Sequence, residues 1–296
     1  GSTGQIGHET LQTAKQKGFE VHALDRQHYD LATANGLNQT IQQINSTIDA
    51  IVDAQAYTAV DDAEKNRDLC FQLNSHAPKE LSLAAHRLGV PYFWISTDYI
   101  FNGTAGPYSE TDSPHPLNTY GESKARGEAH VLNNHGRVIR TAWVYSERRK
   151  NFLLSILKAA LERPELRVVH DQIGNPTSAT DFASDLIQLI QASLGGDGLK
   201  AKEILNLVGR DAVSRHQWAE QIVLSAKALG FPIKCETIKA ISSQEMPLPA
   251  TRPLDSRLTR EKALELLGHK MATESSLKES TEHVLRRVQQ LHSDQG

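Results

Sequence analysis

A doubly wound parallel α/β sheet of Rossmann type is the fold this sequence predicts, and three observations carry it. The chain opens Gly1-Ser2-Thr3-Gly4-Gln5-Ile6-Gly7 and runs straight into a helical pattern through Leu11, Ala14 and Lys15. The strand-like run Phe19-Glu20-Val21-His22-Ala23-Leu24 ends at a carboxylate, Asp25, about twenty residues beyond the glycines. Short apolar runs then alternate with segments of helical spacing as far as residue 146, the rhythm of strand–helix–strand units. Where that rhythm loosens, a second, smaller α/β lobe is expected to take the substrate.

Glycines at positions 1, 4 and 7 permit a tight turn and let backbone N–H groups approach a pyrophosphate at a helix N-terminus, where the dipole favours negative charge. Asp25 stands where a ribose-binding carboxylate belongs, which favours NAD(H). Arg26 beside it can pair with a 2′-phosphate, so NADP(H) stays open. A fingerprint of this kind follows a strand, whereas this sequence begins inside the loop. The absent first strand would be central, between strands at 19–25 and 48–53, and its omission would leave two strand edges unpaired. The expectation is that roughly six to eight apolar residues precede Gly1 in the natural protein, which its intact mass would reveal.

Ile48 to Asp53 is the next strand, followed by a loop to Asp61 and helices over about 61–88. After Pro91, Tyr92 to Phe101 forms a strand whose carboxyl end carries Ser96, Thr97 and Asp98. Open α/β sheets bind ligands at that end. A polar loop, 102–118, leads to Tyr120-Gly121-Glu122-Ser123-Lys124, and Val138 to Tyr145 is a further central strand. Beyond it the spacing predicts a helix over 151–162, a strand at 166–171, a helix over 181–193 and a loop at 195–198. A strand at 202–208, a helix over 214–230 capped by Ser214, and final helices at about 258–267 and 274–292 complete the chain. The dinucleotide-binding domain is expected over 1–147, with about 166–200 returning to it, and the substrate lobe mainly over 201–296.

The composition of the 296 residues, 39% hydrophobic and 23% charged, belongs to a globular protein able to bury a core. A net charge of −3 with both signs mixed along the chain offers no footprint for nucleic acid or an anionic membrane. Cys70 and Cys235 sit in apolar-periodic segments and read as buried free thiols, and the thirteen histidines show no ligand spacing, so no catalytic transition metal is predicted. With no signal-peptide pattern or membrane-length apolar run, a cytoplasmic protein is the expectation.

Tyr120 and Lys124 lie four residues apart, on one face if the segment is helical. An ammonium near a phenol favours the phenolate, which suits general acid–base chemistry, although the same spacing also describes an ordinary surface pair.

Seven runs, in family order across nearly the whole chain, resemble the dTDP-4-dehydrorhamnose reductase family of extended short-chain dehydrogenase/reductases. They are Gly4–Gly7, Ala56–Asp61, Ser96–Phe101, Tyr120–Lys124, Arg140–Tyr145, Asp171–Thr177 and Arg252–Leu258. The resemblance implies NADPH- or NADH-dependent reduction of the C4 ketone of dTDP-4-dehydro-L-rhamnose to dTDP-L-rhamnose for polysaccharide synthesis. Tyr120 would be the proton donor, Thr97 a second hydrogen bond to the ketone oxygen, and Lys124 both lowers the phenol pKa and holds the nicotinamide ribose. Gly4, Gln5 and Ile6 would line the pyrophosphate, Asp25 the ribose, Asp30 and Leu31 the adenine, and Ala56, Tyr57 and Thr58 the loop beneath the cofactor. Thr97, Asp98 and Trp143 would contact substrate. Arg252 reads equally as a phosphate ligand and as a structural tie. Asp53-Ala54-Gln55 departs from the asparagine and alanines usual in the family. The resemblance also leaves room for Mg²⁺ and a homodimer, which no residue pattern here encodes. Two other readings compete: an epimerase or dehydratase of the same superfamily, for which no convincing acid/base partner stands beside Thr97, and a regulatory subunit that binds NADP without catalysis.

Overall fold

The structure, a computed structural model, describes residues 1–27, 29–45 and 47–293. From the N-terminus, α1 (Gln5–Gln16) and α2 (Ala34–Gln43) precede β1 (Ile51–Asp53), α3 (Val60–Ala63) and α4 (Arg67–Phe71). A π-helical turn, Gln72–His76, joins α4 to α5 (Ala77–Arg87), and β2 (Tyr92–Thr97) follows. Then come α6 (Thr119–Asn133), β3 (Arg137–Thr141), β4 (Val144–Tyr145), α7 (Phe152–Glu162), β5 (Glu165–Val169), β6 (Ile173–Gly174) and β7 (Thr177–Ser178). The chain continues through α8 (Ala179–Leu194), β8 (Ile204–Asn206), β9 (Val213–Ser214), α9 (Arg215–Ala228), β10 (Thr237–Ile241), α10 (Glu261–Leu267) and α11 (Leu277–Ser293).

Strands β1, β2, β3 and β8 form one parallel sheet in that order. Every residue of β2 is buried, because both faces of a doubly wound sheet are covered by helices. Its side chains alternate accordingly: Tyr92 and Trp94 pack with Ala77, Leu81 and Val131 of α5 and α6, whereas Phe93 and Ile95 pack with Phe182 and Leu186 of α8. Helix α6 lies unusually close to its neighbours. A Cβ at Gly127 would stand 2.2 Å from the Asn74 carbonyl oxygen, and one at Gly121 would stand 2.1 Å from that of Tyr99. These two glycines therefore set the depth at which Tyr120 and Lys124 are presented.

Residues 19–25, expected as a strand, join no ladder. Phe19 and Val21 pack against the α1–α8 core, but among the described residues no strand lies beside them to share backbone hydrogen bonds. The Leu24 carbonyl instead accepts from the Gly1 nitrogen at 3.2 Å and from the Ser2 hydroxyl at 3.1 Å. Strand placement also crosses the expected divide near residue 200 in both directions. Strand β8 fills the free edge of β3, and α10 packs on β8 and α8, while β5 pairs with β10 instead of returning to the larger sheet. Around that β5–β10 pair, α7, α9 and α11 gather a separate core on Leu153, Trp218, Ile222 and Leu285. Helix α9 starts at the expected Ser214 cap, whose hydroxyl and the Gln217 side chain complete a reciprocal capping box.

Candidate active site

The carboxyl end of β2 turns directly into the site. Thr97 ends the strand, a 3₁₀ turn follows over Asp98–Ile100, and Tyr99 meets Tyr120 edge to face at 5.9 Å. Helix α6 starts at Asn118, which accepts from the Gly121 N–H at 2.8 Å and donates to the Thr251 carbonyl at 2.7 Å. Glu64 accepts from the Thr119 N–H at the same terminus, where its charge complements the helix dipole.

Tyr120 is half-buried, and desolvation raises its phenol above the usual value despite a hydrogen bond with Thr97. The expected lowering by Lys124 is not the dominant effect. Lys124 is 1% exposed, donates from Nζ to the Ile95 carbonyl at 2.6 Å, and lies 3.7 Å from the Trp94 ring centre. Burial pushes it down to about 7, against the charges of Asp53 and Glu128. The helix does put both residues on one face, but the ammonium is drawn under β2 while the phenol stays at the cleft.

Thr97 is committed in two directions. Its hydroxyl donates to Asp98 at 3.0 Å and accepts from the Tyr99 N–H at 3.2 Å. Donation from Thr97 to a ketone oxygen would require that hydrogen to turn away from Asp98. Asp98 itself, expected at the substrate, is 2% exposed, with its second oxygen held by the Ser256 hydroxyl at 2.5 Å.

At the cradle, Gly4 caps α1 without any side-chain hydrogen bond, leaving the first-turn N–H groups of the helix to a ligand. A Cβ on Gly7 would stand 2.0 Å from the Gly1 carbonyl oxygen, and one on Gly1 would stand 2.5 Å from the Ala54 backbone. Positions 1 and 7 admit no side chain, and the uncapped N–H groups suit a pyrophosphate, so the residues present fit a dinucleotide. The side chains of Gln5 and Ile6 serve structure: Gln5 accepts from Ser146 at 2.8 Å and Asn151 at 2.9 Å, and Ile6 packs into the α1–α8 core. Asp25 accepts from the Gln27 N–H at 3.0 Å. Arg26 reaches Asp30 at 3.5 Å with its side chain largely in solvent, and Leu31 packs beside α2 and α5. The loop Ala56-Tyr57-Thr58 is strapped by Asn74, which accepts from the Tyr57 N–H and donates to the Tyr57 carbonyl and to Ser123. The departure at 53–55 is accommodated, with Asp53 accepting from the Tyr92 phenol and the Gln55 amide donating to the Leu73 carbonyl. Arg252 forms a bidentate pair with Asp61, both contacts 2.7 Å, which realises the structural tie. Among the described residues no three His, Cys, Asp or Glu side chains are grouped to hold a metal ion, and no helix is long and apolar enough to cross a membrane.

The family described as RmlD substrate binding domain matches residues 1–289. The chain belongs to that family. It is 33% identical over 269 residues to the dTDP-4-dehydrorhamnose reductase of Escherichia coli (strain K12), covering 88% of each chain. Its fold is similar to that of a dTDP-4-dehydrorhamnose reductase from Clostridium acetobutylicum, with a TM-score of 0.84, 30% identity and 98% of each chain covered. It is also similar to the Bacillus anthracis dTDP-4-dehydrorhamnose reductase solved in complex with NADP, with a TM-score of 0.85, 28% identity and 97% of each chain covered.

Burial of Asp98 makes a pH-dependent effect on stability the expectation. Burial raises its pKa from 3.8 to about 6, with Ser256 and Thr97 working against the rise. As pH climbs from about 4 to 6 the unfolded chain releases this proton first, so the group stabilises the fold least above pH 6. Asp98→Asn is therefore expected to gain roughly 1–3 kcal/mol at neutral pH and little near pH 4, read from urea midpoints at the two pH values.

Sequence reasoning missed Asn74 and Glu64, which act through partners remote in the chain and carry no local pattern, and it gave Asp61 no role although that residue closes a matched run. Ser256 lay inside a matched family run, yet its bond to Asp98 was invisible there.

Proposed function

We propose that this chain reduces the C4 ketone of dTDP-4-dehydro-L-rhamnose to the alcohol of dTDP-L-rhamnose, with Tyr120 as the proton donor. The observation that carries the reading is the Tyr120 phenol, kept protonated by desolvation and facing Thr97 at the carboxyl end of β2, in a chain whose glycine cradle opens at the same edge of the sheet. A bound dihydronicotinamide supplies the hydride. Tyr120 gives the phenol proton to the oxygen that becomes the alcohol, and Thr97 holds the phenol in line until it leaves. Gly1, Gly4 and Gly7 would hold the pyrophosphate, Asp25 the adenosine ribose, and Lys124, anchored on Ile95, the nicotinamide ribose hydroxyls. The Arg26 guanidinium, loosely held by Asp30, can turn to a 2′-phosphate, which supports NADPH as a cofactor. The lobe built on α7, α9 and α11 closes the substrate side.

Support also comes from the family relatives, which are named for this reaction. The test is cofactor oxidation by purified protein with dTDP-4-dehydrorhamnose, run with NADPH and with NADH, and mass analysis of the sugar. One cofactor oxidised per two hydrogens gained by the sugar is expected. Sugar conversion without net oxidation would make the chain an epimerase or dehydratase, and tight cofactor binding without any conversion would make it a binding subunit.

A further inference from the structure

Arg215 opens α9 directly after its Ser214 cap. Its guanidinium lies 3.5 Å above the Trp143 ring centre and within 4.9 Å of Phe152 and 5.8 Å of Trp218. Trp143 and Trp218 are themselves stacked at 6.0 Å. Trp143 holds a φ of 46°, a left-handed conformation that a bulky residue seldom adopts, so the fold strains its backbone at the spot where the guanidinium is seated. The result is a half-buried cation seated over aromatic rings.

That cation has no carboxylate in an ion pair among the described residues. Arg140, Arg252 and Arg287 differ, since Glu128, Asp61 and the pair Glu9 and Glu147 respectively hold them. Asp98 is the acid near Arg215, and both its oxygens already accept hydrogen bonds, from Thr97 and Ser256. The Tyr99 phenol lies in the electrostatic neighbourhood of both the Arg215 and the Arg252 side chains, while its ring abuts Tyr120. Two guanidinium groups thus stand near Tyr99, Arg252 in an ion pair with Asp61 and Arg215 in none among the described residues, next to the phenol assigned to the reaction.

We propose that Arg215 is the main cation for the diphosphate of a nucleoside-diphosphate sugar, with Arg252 a second donor already balanced by Asp61. The proposal rests on the reductase reading above. In a pyranose, C4 and the phosphate-bearing C1 lie at opposite ends of the ring. A sugar whose C4 oxygen faces Tyr120 therefore carries its diphosphate away from Tyr120, towards the side where the two arginines stand near Tyr99. A half-desolvated guanidinium outside any ion pair attracts a dianion more strongly than it would in water, and its planar fork suits phosphate oxygens.

The test uses the full chain saturated with NADPH and compares wild type, Arg215→Gln and Arg215→Lys. Glutamine keeps a planar group over Trp143 without the charge, and lysine keeps the charge without the fork. Binding of dTDP and of thymidine is measured by calorimetry, and turnover of dTDP-4-dehydrorhamnose by cofactor oxidation. Arg215→Gln is expected to weaken dTDP binding about ten- to a hundredfold and to raise KM similarly, leaving thymidine affinity and the thermal midpoint unchanged. Arg215→Lys should recover part of the loss. Unchanged dTDP affinity in Arg215→Gln, or a fall in kcat with KM unaltered, overturns the proposal, as does a wild-type chain that does not bind dTDP. If wild type binds dTDP through Arg215 but reduces no keto sugar, the reductase reading fails and the diphosphate site stands. If wild type reduces the keto sugar and Arg215→Gln binds dTDP equally well, the diphosphate site alone fails.

Discussion

Tyr120→Phe is expected to lower turnover of the keto sugar by about 10²–10⁴-fold while leaving NADPH affinity close to wild type. The substitution removes one oxygen and keeps the ring, so the edge-to-face contact with Tyr99 and the packing of α6 are retained. What is lost is the proton that desolvation holds on the phenol. Thr97 cannot replace it in the observed arrangement, because its own hydrogen is given to Asp98. Single-turnover rates separate the two effects, and wild-type turnover in this variant would remove Tyr120 from the mechanism. A large loss of NADPH affinity would instead mean that the phenol holds the cofactor in place.

The second large effect concerns stability and reaches the site through Lys124. Arg140 and Glu128 form an almost fully buried bidentate pair, with contacts of 3.0 and 2.8 Å and side-chain exposures of 1% and 3%. Arg140→Met leaves the Glu128 carboxylate buried without its guanidinium, and the expected cost is about 3–5 kcal/mol. The double variant Arg140→Met with Glu128→Leu should recover most of it, since an apolar pair avoids both desolvation penalties. Urea midpoints measure both variants. If the single variant is as stable as wild type, water reaches Glu128 and the site is not as dry as the geometry indicates. Glu128 also helps to hold a proton on Lys124, so the double variant is expected to lower the Lys124 pKa further.

Much of this architecture was legible before any contact was known. Alternating apolar and helical spacing located β2, β3, α7, α8 and α9 to within a few residues, because side-chain periodicity is set by each element's own geometry. The Ser214 cap was legible for the same reason, as its partners lie within one turn. Spacing likewise brought Tyr120 and Lys124 to one face of α6, and the glycines at 1, 4 and 7 announced a tight turn, with no room for a side chain at 1 and 7.

Distant partners were not legible. The hydroxyl that engages Asp98 belongs to Ser256, 158 positions away, and the carboxylate that neutralises Arg252 belongs to Asp61, 191 positions away. Nothing in either local sequence says whether such a group will be free for a ligand or spent inside the fold. The same holds for residues 19–25, whose β character is plain in the residue types while ladder membership depends on a neighbouring strand. Local spacing therefore specified the elements and put a phenol and an amine on one helical face. Folding then drew the amine beneath β2, turned Thr97 towards Asp98 and left Arg215 outside any ion pair among the described residues. These outcomes depend on which remote groups share a desolvated space, where hydrogen bonds and charges must be satisfied together.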